Sequence, residues 1–232
     1  LIGAPNISPP TNRPGAVYIF DYSNNTNQWE QIQILTTTND EDQFGISAKF
    51  NRSTNEIIVG ATAVGAAYVS VINAAYIFDY SNNTNQWEQI QKIEGQDDTW
   101  YGHSVAINGH YAIVGAPEES TGGNAYIYNN NNGTWQIDIS LSDIVLAPSL
   151  VSGQNFGWSV DILENTSTSN STCVVGAKGS TGYEEGKVYV FNNDGANWTN
   201  DQILTLTTFT DSFGEKVSLS ENYLIIKDEG VS

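Results

Sequence analysis

The sequence predicts an all-β chain folded as a β-propeller of four-stranded antiparallel blades, and three observations carry that prediction. A unit of four short runs, clearest between Tyr101 and Leu141, is filled with Tyr, Ile, Val, Thr and Trp, while Gly, Asn and Pro fill the gaps. That composition marks strands joined by tight turns. Four markers then recur in the same order four times. Finally, one such small sheet leaves apolar faces that its neighbours must cover, and radial stacking covers them while leaving only short edges. A sandwich of short strands competes, but the strict four-run unit favours the propeller.

Run a follows an aromatic-Gly pair, found at Phe44-Gly45, Tyr101-Gly102, Phe156-Gly157 and Phe213-Gly214, in steps of 57, 55 and 57 residues. In the clearest unit it covers His103 to Ile107, and Asn108-Gly109 reads as the two-residue hairpin turn that follows, where φ > 0 is wanted. Run b, Tyr111 to Ala116, ends in a Gly-Ala that recurs at Gly3-Ala4, Gly60-Ala61 and Gly176-Ala177. Run c, Asn124 to Tyr128, recurs as Val17 to Phe20, Ala75 to Phe78 and Val188 to Phe191. Run d, Thr134 to Leu141, follows the turn pair Asn132-Gly133 and is marked by Trp135, with Trp29, Trp87 and Trp198 in the other units. Residues 18–33 repeat at 76–91 without a change. The units are approximately 1–35, 44–93, 101–141, 156–206 and 213–232, within one domain, or one piece of a propeller, covering 1–232.

The first unit supplies b, c and d, and the last supplies a and b. Joined, they close a four-bladed ring; yet both contain run b, and that overlap favours a piece of a longer propeller.

At 232 residues the chain is long enough to bury roughly 70% of its unfolded surface. Its net charge of −18, from 8 basic and 26 acidic residues, argues against nucleic acid and against anionic membrane surfaces. No apolar run reaches the ~18 residues of a membrane-spanning helix, so membrane insertion is not expected. The single Cys173 lies in run b at the slot of Ala112, which makes it a buried thiol packing as a small apolar residue, with an intermolecular bridge as the alternative.

These motifs resemble the FG-GAP repeats of the integrin α-subunit propeller and of many secreted proteins. The matching residues are Phe156-Gly157-Trp158-Ser159-Val160, Val114-Gly115-Ala116-Pro117, Gly186 to Phe191 and the Trp of run d. The resemblance covers essentially the whole chain and is nearest to the secreted branch. It implies a propeller of usually seven blades, an extracellular location and a role in adhesion or assembly. Integrin-type repeats often hold calcium in the a–b loop through a D-x-D-x-D-G pattern, because carboxylates at alternate positions converge on a hard cation. The a–b loops here, Asn51 to Glu56, Asn108 to His110, Glu164 to Thr172 and Ser220 to Asn222, lack that spacing, so the family's metal residues do not carry over and no cofactor is expected. Asp40-Glu41-Asp42 reads as a solvated acidic turn, with weak calcium binding as the alternative.

His103 and His110 are the only histidines. His103 stands in the variable slot of Ile46, Trp158 and Glu215 and reads as a surface or rim residue. Phosphate loops, HExxH and a nucleophile elbow are missing from the sequence, which points to a non-catalytic module. The repeated tryptophans are expected to pack between blades; as stacking surfaces for sugars they support the alternative reading, a carbohydrate-binding lectin. The strongest chemical signal is N-x-S/T, at Asn6, Asn24, Asn51, Asn82, Asn132, Asn165, Asn170 and Asn197. All but Asn6 lie in or beside a–b and c–d loops, at one end of a meander, leaving the other end nearly bare. There the b–c loop of the second unit, residues 62–74, carries no charge, and Tyr68, Val69, Val71 and Ile72 are expected to form a contact with an extracellular protein partner or another subunit. The expectation is thus a secreted, N-glycosylated adhesion or assembly module.

Overall fold

The structure, a computed structural model, describes residues 1–5, 15–37, 43–62, 73–96, 99–119, 122–144, 150–165, 170–179, 184–208 and 210–229. It is a series of small antiparallel sheets, each a meander. The first unit is β1 (Ile2–Ala4), β2 (Ala16–Ser23) and β3 (Gln28–Thr36). The second is β4 (Ser47–Phe50), β5 (Glu56–Ala61), β6 (Ala74–Ser81) and β7 (Gln86–Glu94). The third is β8 (Ser104–Asn108), β9 (Tyr111–Ala116), β10 (Asn124–Asn131) and β11 (Thr134–Ser140). The fourth is β12 (Phe156–Asn165), β13 (Asn170–Ala177), β14 (Lys187–Asn193) and β15 (Trp198–Leu204); β16 (Lys216–Leu219) and β17 (Leu224–Lys227) pair by themselves. The chain is therefore an all-β propeller built from four-stranded blades.

Run b shows why the units must stack. All six residues of β5 are buried. Successive side chains of a strand point to opposite faces, and here each face meets a different neighbour. Ile57 and Val59 join Val17, Ile19 and Leu35 of the first unit, while Ile58 joins Val105, Ile107 and Val114 of the third. The same division holds in β13, where Cys173 and Val175 face the third unit and Val174 faces β16 and β17. A strand covered on both faces reads as a continuous apolar run rather than an alternating one. Cys173 is a buried free thiol, and burial pushes its pKa well up.

The aromatic-Gly pair is the peg that joins units. Its glycine holds φ near +90°, a region most side chains avoid, and its carbonyl lies against the run-b glycine of the preceding unit. A Cβ on Gly3, Gly60, Gly115 or Gly176 would fall 1.9 to 2.1 Å from the carbonyl oxygen of Gly45, Gly102, Gly157 or Gly214 respectively. The run-a serine paired with each of the last three donates its hydroxyl to the same carbonyl: Ser47 to Gly102 (2.9 Å), Ser104 to Gly157 (2.8 Å) and Ser159 to Gly214 (2.7 Å). In the β16–β17 pair both slots hold lysine, Lys216 for the serine and Lys227 for the glycine, and the two are cross-strand partners. Lys227 forms ion pairs with Glu215 and Glu229.

A second link joins the outer strands. The Gln33 amide accepts from Trp87 N and donates to Trp87 O, both at 2.8 Å, and Gln91 does the same with Trp135 at 2.9 and 2.7 Å. Ile139 occupies this slot in the third unit. A β-bulge, present in every run d, presents Asp138 instead, which accepts from the Trp198 indole at 3.1 Å. Trp87, Trp135 and Trp198 are buried between units as expected, at 8%, 2% and 5% exposure, whereas Trp29 is 69% exposed; among the described residues no preceding unit covers it. The a–b turn also differs from expectation. Asn108 pairs with Tyr111 across the ladder, so the loop is Gly109-His110, with φ +58° at Gly109 rather than at Asn108.

Gly115 takes no positive φ, so the cost of a side chain there is close approach alone. Gly115→Ala is expected to destabilise the chain by roughly 2 kcal/mol or more by overpacking. Ser104→Ala, which removes only the hydroxyl bond to Gly157, should cost about 1 kcal/mol. Denaturant midpoints of the two variants check both the size and the order; equal midpoints would show that the glycine contact is not limiting.

Candidate recognition site

The meander gives the molecule two chemically different ends. The a–b and c–d turns form one end, and Asn24, Asn82, Asn132, Asn165, Asn170 and Asn197 are all exposed there. Asn51 departs from the expectation. It is 1% exposed. Its Nδ2 donates to Gly109 O (2.8 Å) and Glu56 Oε2 (3.2 Å), and its Oδ1 accepts from Gly109 N (2.9 Å) and Ser53 N (3.1 Å). Asn51 is a structural clamp on the next unit's turn, and a glycan on that nitrogen is incompatible with this geometry. Asn6 lies outside the described residues, as do Tyr68, Val69, Val71, Ile72 and Asp40-Glu41-Asp42.

Glu164 serves the following interface as Asn51 serves its own. It accepts from His110 N through Oε2 (2.7 Å), and its Oε1 lies 3.1 Å from His110 Nδ1. Near the axis, Lys49 of β4 reaches Asp161 of β12 across the third unit at 3.2 Å, and the other Asp161 oxygen accepts from Leu219 N at 2.8 Å. These groups, with Arg52, Ser218 and Glu221, line an axial cavity of about 480 Å³. Among the described residues no three His, Cys, Asp or Glu side chains converge as a metal cluster.

The opposite end, formed by the b–c loops and the aromatic-Gly turns, has none of the exposed sequons among the described residues. It holds a row of rings instead. His103 packs against Trp158 (ring centroids 4.7 Å apart) and Trp100 (5.7 Å), whose own rings are 6.2 Å apart, and Lys178 Nζ sits 4.9 Å from the centre of the Trp158 ring. Glu215 pairs with Lys178 at 3.9 Å and with Lys227 at 3.0 Å. Trp100 holds φ +53°, a strained conformation for a bulky residue. Of the two expected placings, surface or rim, His103 takes the rim: it is half-buried, its Nδ1 has no hydrogen-bond partner among the described residues, and burial, helped by Lys178, lowers its pKa to about 4. At neutral pH the row contains an uncharged imidazole.

Beside this row the third unit opens a pocket of about 490 Å³ lined by Glu119, Asn124, Tyr126, Ser140, Ser142 and Asp143, with Gly123 and Leu150. Asn124 is 5% exposed and organises it. Its Nδ2 donates to Glu119 Oε1 (3.1 Å) and Ser140 Oγ (3.0 Å), and its Oδ1 accepts from Ser142 N (3.2 Å) and Ala125 N (2.8 Å). The Tyr126 hydroxyl donates to the same Glu119 oxygen. Burial and that carboxylate push the Tyr126 pKa far up. Behind it, the Tyr101 and Tyr128 hydroxyls bond at 2.7 Å.

An FG-GAP repeat matches residues 87–128, from run d of the second unit through run c of the third. Its aromatic-Gly peg recurs at Phe44-Gly45, Phe156-Gly157 and Phe213-Gly214, and its glycine socket at Gly3, Gly60 and Gly176. The chain is a propeller that carries an FG-GAP repeat. No curated protein matches the chain in sequence. Among solved structures, Trypanosoma rangeli sialidase is similar over 93% of this chain, at 13% identity and a TM-score of 0.48. The chain spans 39% of the length of that structure.

The FG-GAP markers pointed to the peg but not to this site. Trp100 stands outside the four markers, and His103 and Trp158 occupy a slot that varies from unit to unit, so repetition gave no signal for them. A comparison of that slot across units, Ile46, His103, Trp158 and Glu215, was the available clue. In the pocket, Asn124 stands where the second unit has Ala74.

Because the His103 pKa is lowered from an unfolded value near 6.5, the unfolded chain binds more protons between pH 6.5 and 4. Stability from this residue is fully present above pH 6.5 and lost as pH falls towards 4. His103→Phe keeps a ring in the row and should flatten that part of the stability profile. Urea titrations at pH 7 and pH 4.5 measure it, and an unchanged difference between the two pH values in the variant counts against the assignment.

Proposed function

We propose that this propeller is a secreted, N-glycosylated and non-catalytic recognition module that serves adhesion or assembly by holding an extracellular protein partner. The observation that carries this reading is the asymmetry of its ends. Six exposed sequons crowd the a–b and c–d end, where glycans would exclude a partner. The other end offers a half-buried aromatic row edged by Lys178, Glu215 and Lys227. Aromatic and cationic side chains around a partly desolvated patch are the chemistry of interface anchors. The net charge of −18 keeps such a module soluble and disfavours nucleic acid.

A glycan wedge tests this directly. Lys178→Asn creates an N-x-S sequon with Gly179 and Ser180, beside Trp158 at the bare end. The protein is secreted from a eukaryotic host and coated on a surface, and cell attachment is counted. Glycopeptide mass spectrometry is expected to find glycan at Asn24, Asn82 and Asn132 and none at Asn51. Attachment is expected for the unaltered chain and for Asn82→Gln, and loss to background for the occupied Lys178→Asn variant. Attachment that survives an occupied wedge, or native protein with all the exposed sequons bare, overturns the reading.

A further inference from the structure

We propose that the pocket of the third unit binds the ring of a neutral saccharide. The inference rests on the recognition reading above and gives one of its ligands a chemical class. Four observations point to it. The pocket's volume of about 490 Å³ lies in the range of roughly 300 to 1,000 Å³ typical of small-molecule sites. Its lining includes two carboxylates, Glu119 and Asp143, and among the described residues no Lys, Arg or His, so an anionic sugar, a phosphate or a sulfate would be repelled. The remaining polar groups are the Ser140 and Ser142 hydroxyls, the Tyr126 hydroxyl and the Asn124 amide, a set richer in acceptors than in donors. That set asks for a ligand carrying several O–H donors. Tyr126 and Leu150 supply the apolar part of the lining.

A pyranose has this dual character. One face presents C–H groups, which are attracted to the negative face of an aromatic ring, and its edge presents hydroxyls that donate to carboxylates. Hydrogen bonds to charged acceptors are also the stronger kind. The site is preorganised for the task. Asn124 is fixed by five hydrogen bonds, to Glu119, Ser140 (two), Ser142 and Ala125. Glu119 is held by Asn124 and Tyr126. Asp143, in the 3-10 turn Leu141–Asp143 after β11, is exposed at the mouth. An arrangement already fixed before binding loses less freedom when the ligand arrives. The pocket is also particular to this unit. Asn124 pairs with Ala116, whereas the equivalent partner of Ala61 is Ala74, which carries no amide to organise such a network.

The test titrates the intact glycosylated chain with glucose, galactose, mannose and N-acetylglucosamine, and with glucuronate and calcium as controls, by isothermal calorimetry. One or more of the neutral sugars is expected to bind saturably at one site per chain, while glucuronate does not. Asp143→Asn should weaken that binding about tenfold or more, the loss of a hydrogen bond to a charged group. Tyr126→Phe, which keeps the ring and frees Glu119, should weaken it less. Both variants should keep the unaltered circular dichroism spectrum, because Asp143 is exposed and the Tyr126 ring remains. No saturable binding of any neutral sugar, calcium as the sole ligand, or unchanged affinity in Asp143→Asn each overturns the proposal. Cell attachment by the same samples separates the two readings. Attachment that is sensitive to the Lys178→Asn wedge without sugar binding sinks the pocket proposal alone. Sugar binding without wedge-sensitive attachment sinks the partner reading alone.

Discussion

The packing of one backbone carbonyl against one glycine governs this fold. Four units place a glycine near the end of run b, Gly3, Gly60, Gly115 and Gly176, and there the next unit's aromatic-Gly turn sets its carbonyl about 2 Å from where a Cβ would be. That approach brings the aromatic ring of the peg, such as Phe44 or Phe156, into the preceding interface at zero exposure. Phe156 meets Tyr189 and Phe191 edge-on there, at 5.1 and 6.1 Å, an arrangement that aromatic quadrupoles favour. Peg, socket and serine latch form one device, and the whole stack repeats it. Where Lys216 and Lys227 fill the serine and glycine slots, that device has no room for a carbonyl, and their face of the β16–β17 pair is chemically unlike every interface before it.

The outer strands show how the same constraint is met by different side chains. Gln33 and Gln91 each bridge to the backbone of the next unit's tryptophan, and Gln202 stands in the same slot of the fourth unit. Ile139 in that slot leaves the third interface without an amide, and the bulge residue Asp138 reaches the Trp198 indole instead. A bulge inserts one residue and re-aims its neighbours. Here it lets a carboxylate replace an amide without moving the strand.

A stack of meanders separates its loops into two ends, and the two ends of this chain have diverged. At one, turn residues stay close to the repeat and most sequons are exposed. Asn51 is drawn inward because the neighbouring Gly109 turn lacks a partner of its own and takes both its donor and its acceptor from that amide. At the other end the slot after the peg is free to vary. In adjacent units it holds His103, Trp158 and Glu215; His103 meets Trp158, and Lys178 links Trp158 to Glu215, because radial stacking brings successive slots together. The neutral state of His103 follows from the same packing, since two rings and Lys178 replace the water that would hold its proton.

Much of this was legible in the residues alone. Strand identity, the four-run unit, the Gly-Ala sockets and the exposed turns with Asn24, Asn82 and Asn132 are local properties. Hydrophobic periodicity and turn chemistry act over a few residues, and repetition confirmed them four times. The burial of Asn51, the placing of the turn at Gly109-His110, the Gln33 and Gln91 bridges and the aromatic row could not be read that way. Each depends on a contact some 44 to 58 residues distant in the chain. Those contacts exist only once neighbouring sheets stack, and the stacking geometry is set by the peg carbonyl in its glycine socket. The sequence by itself determined what each unit is; the tertiary structure decided which variable residues of neighbouring units face one another, because that follows from the rotation between blades and not from any residue's own propensity.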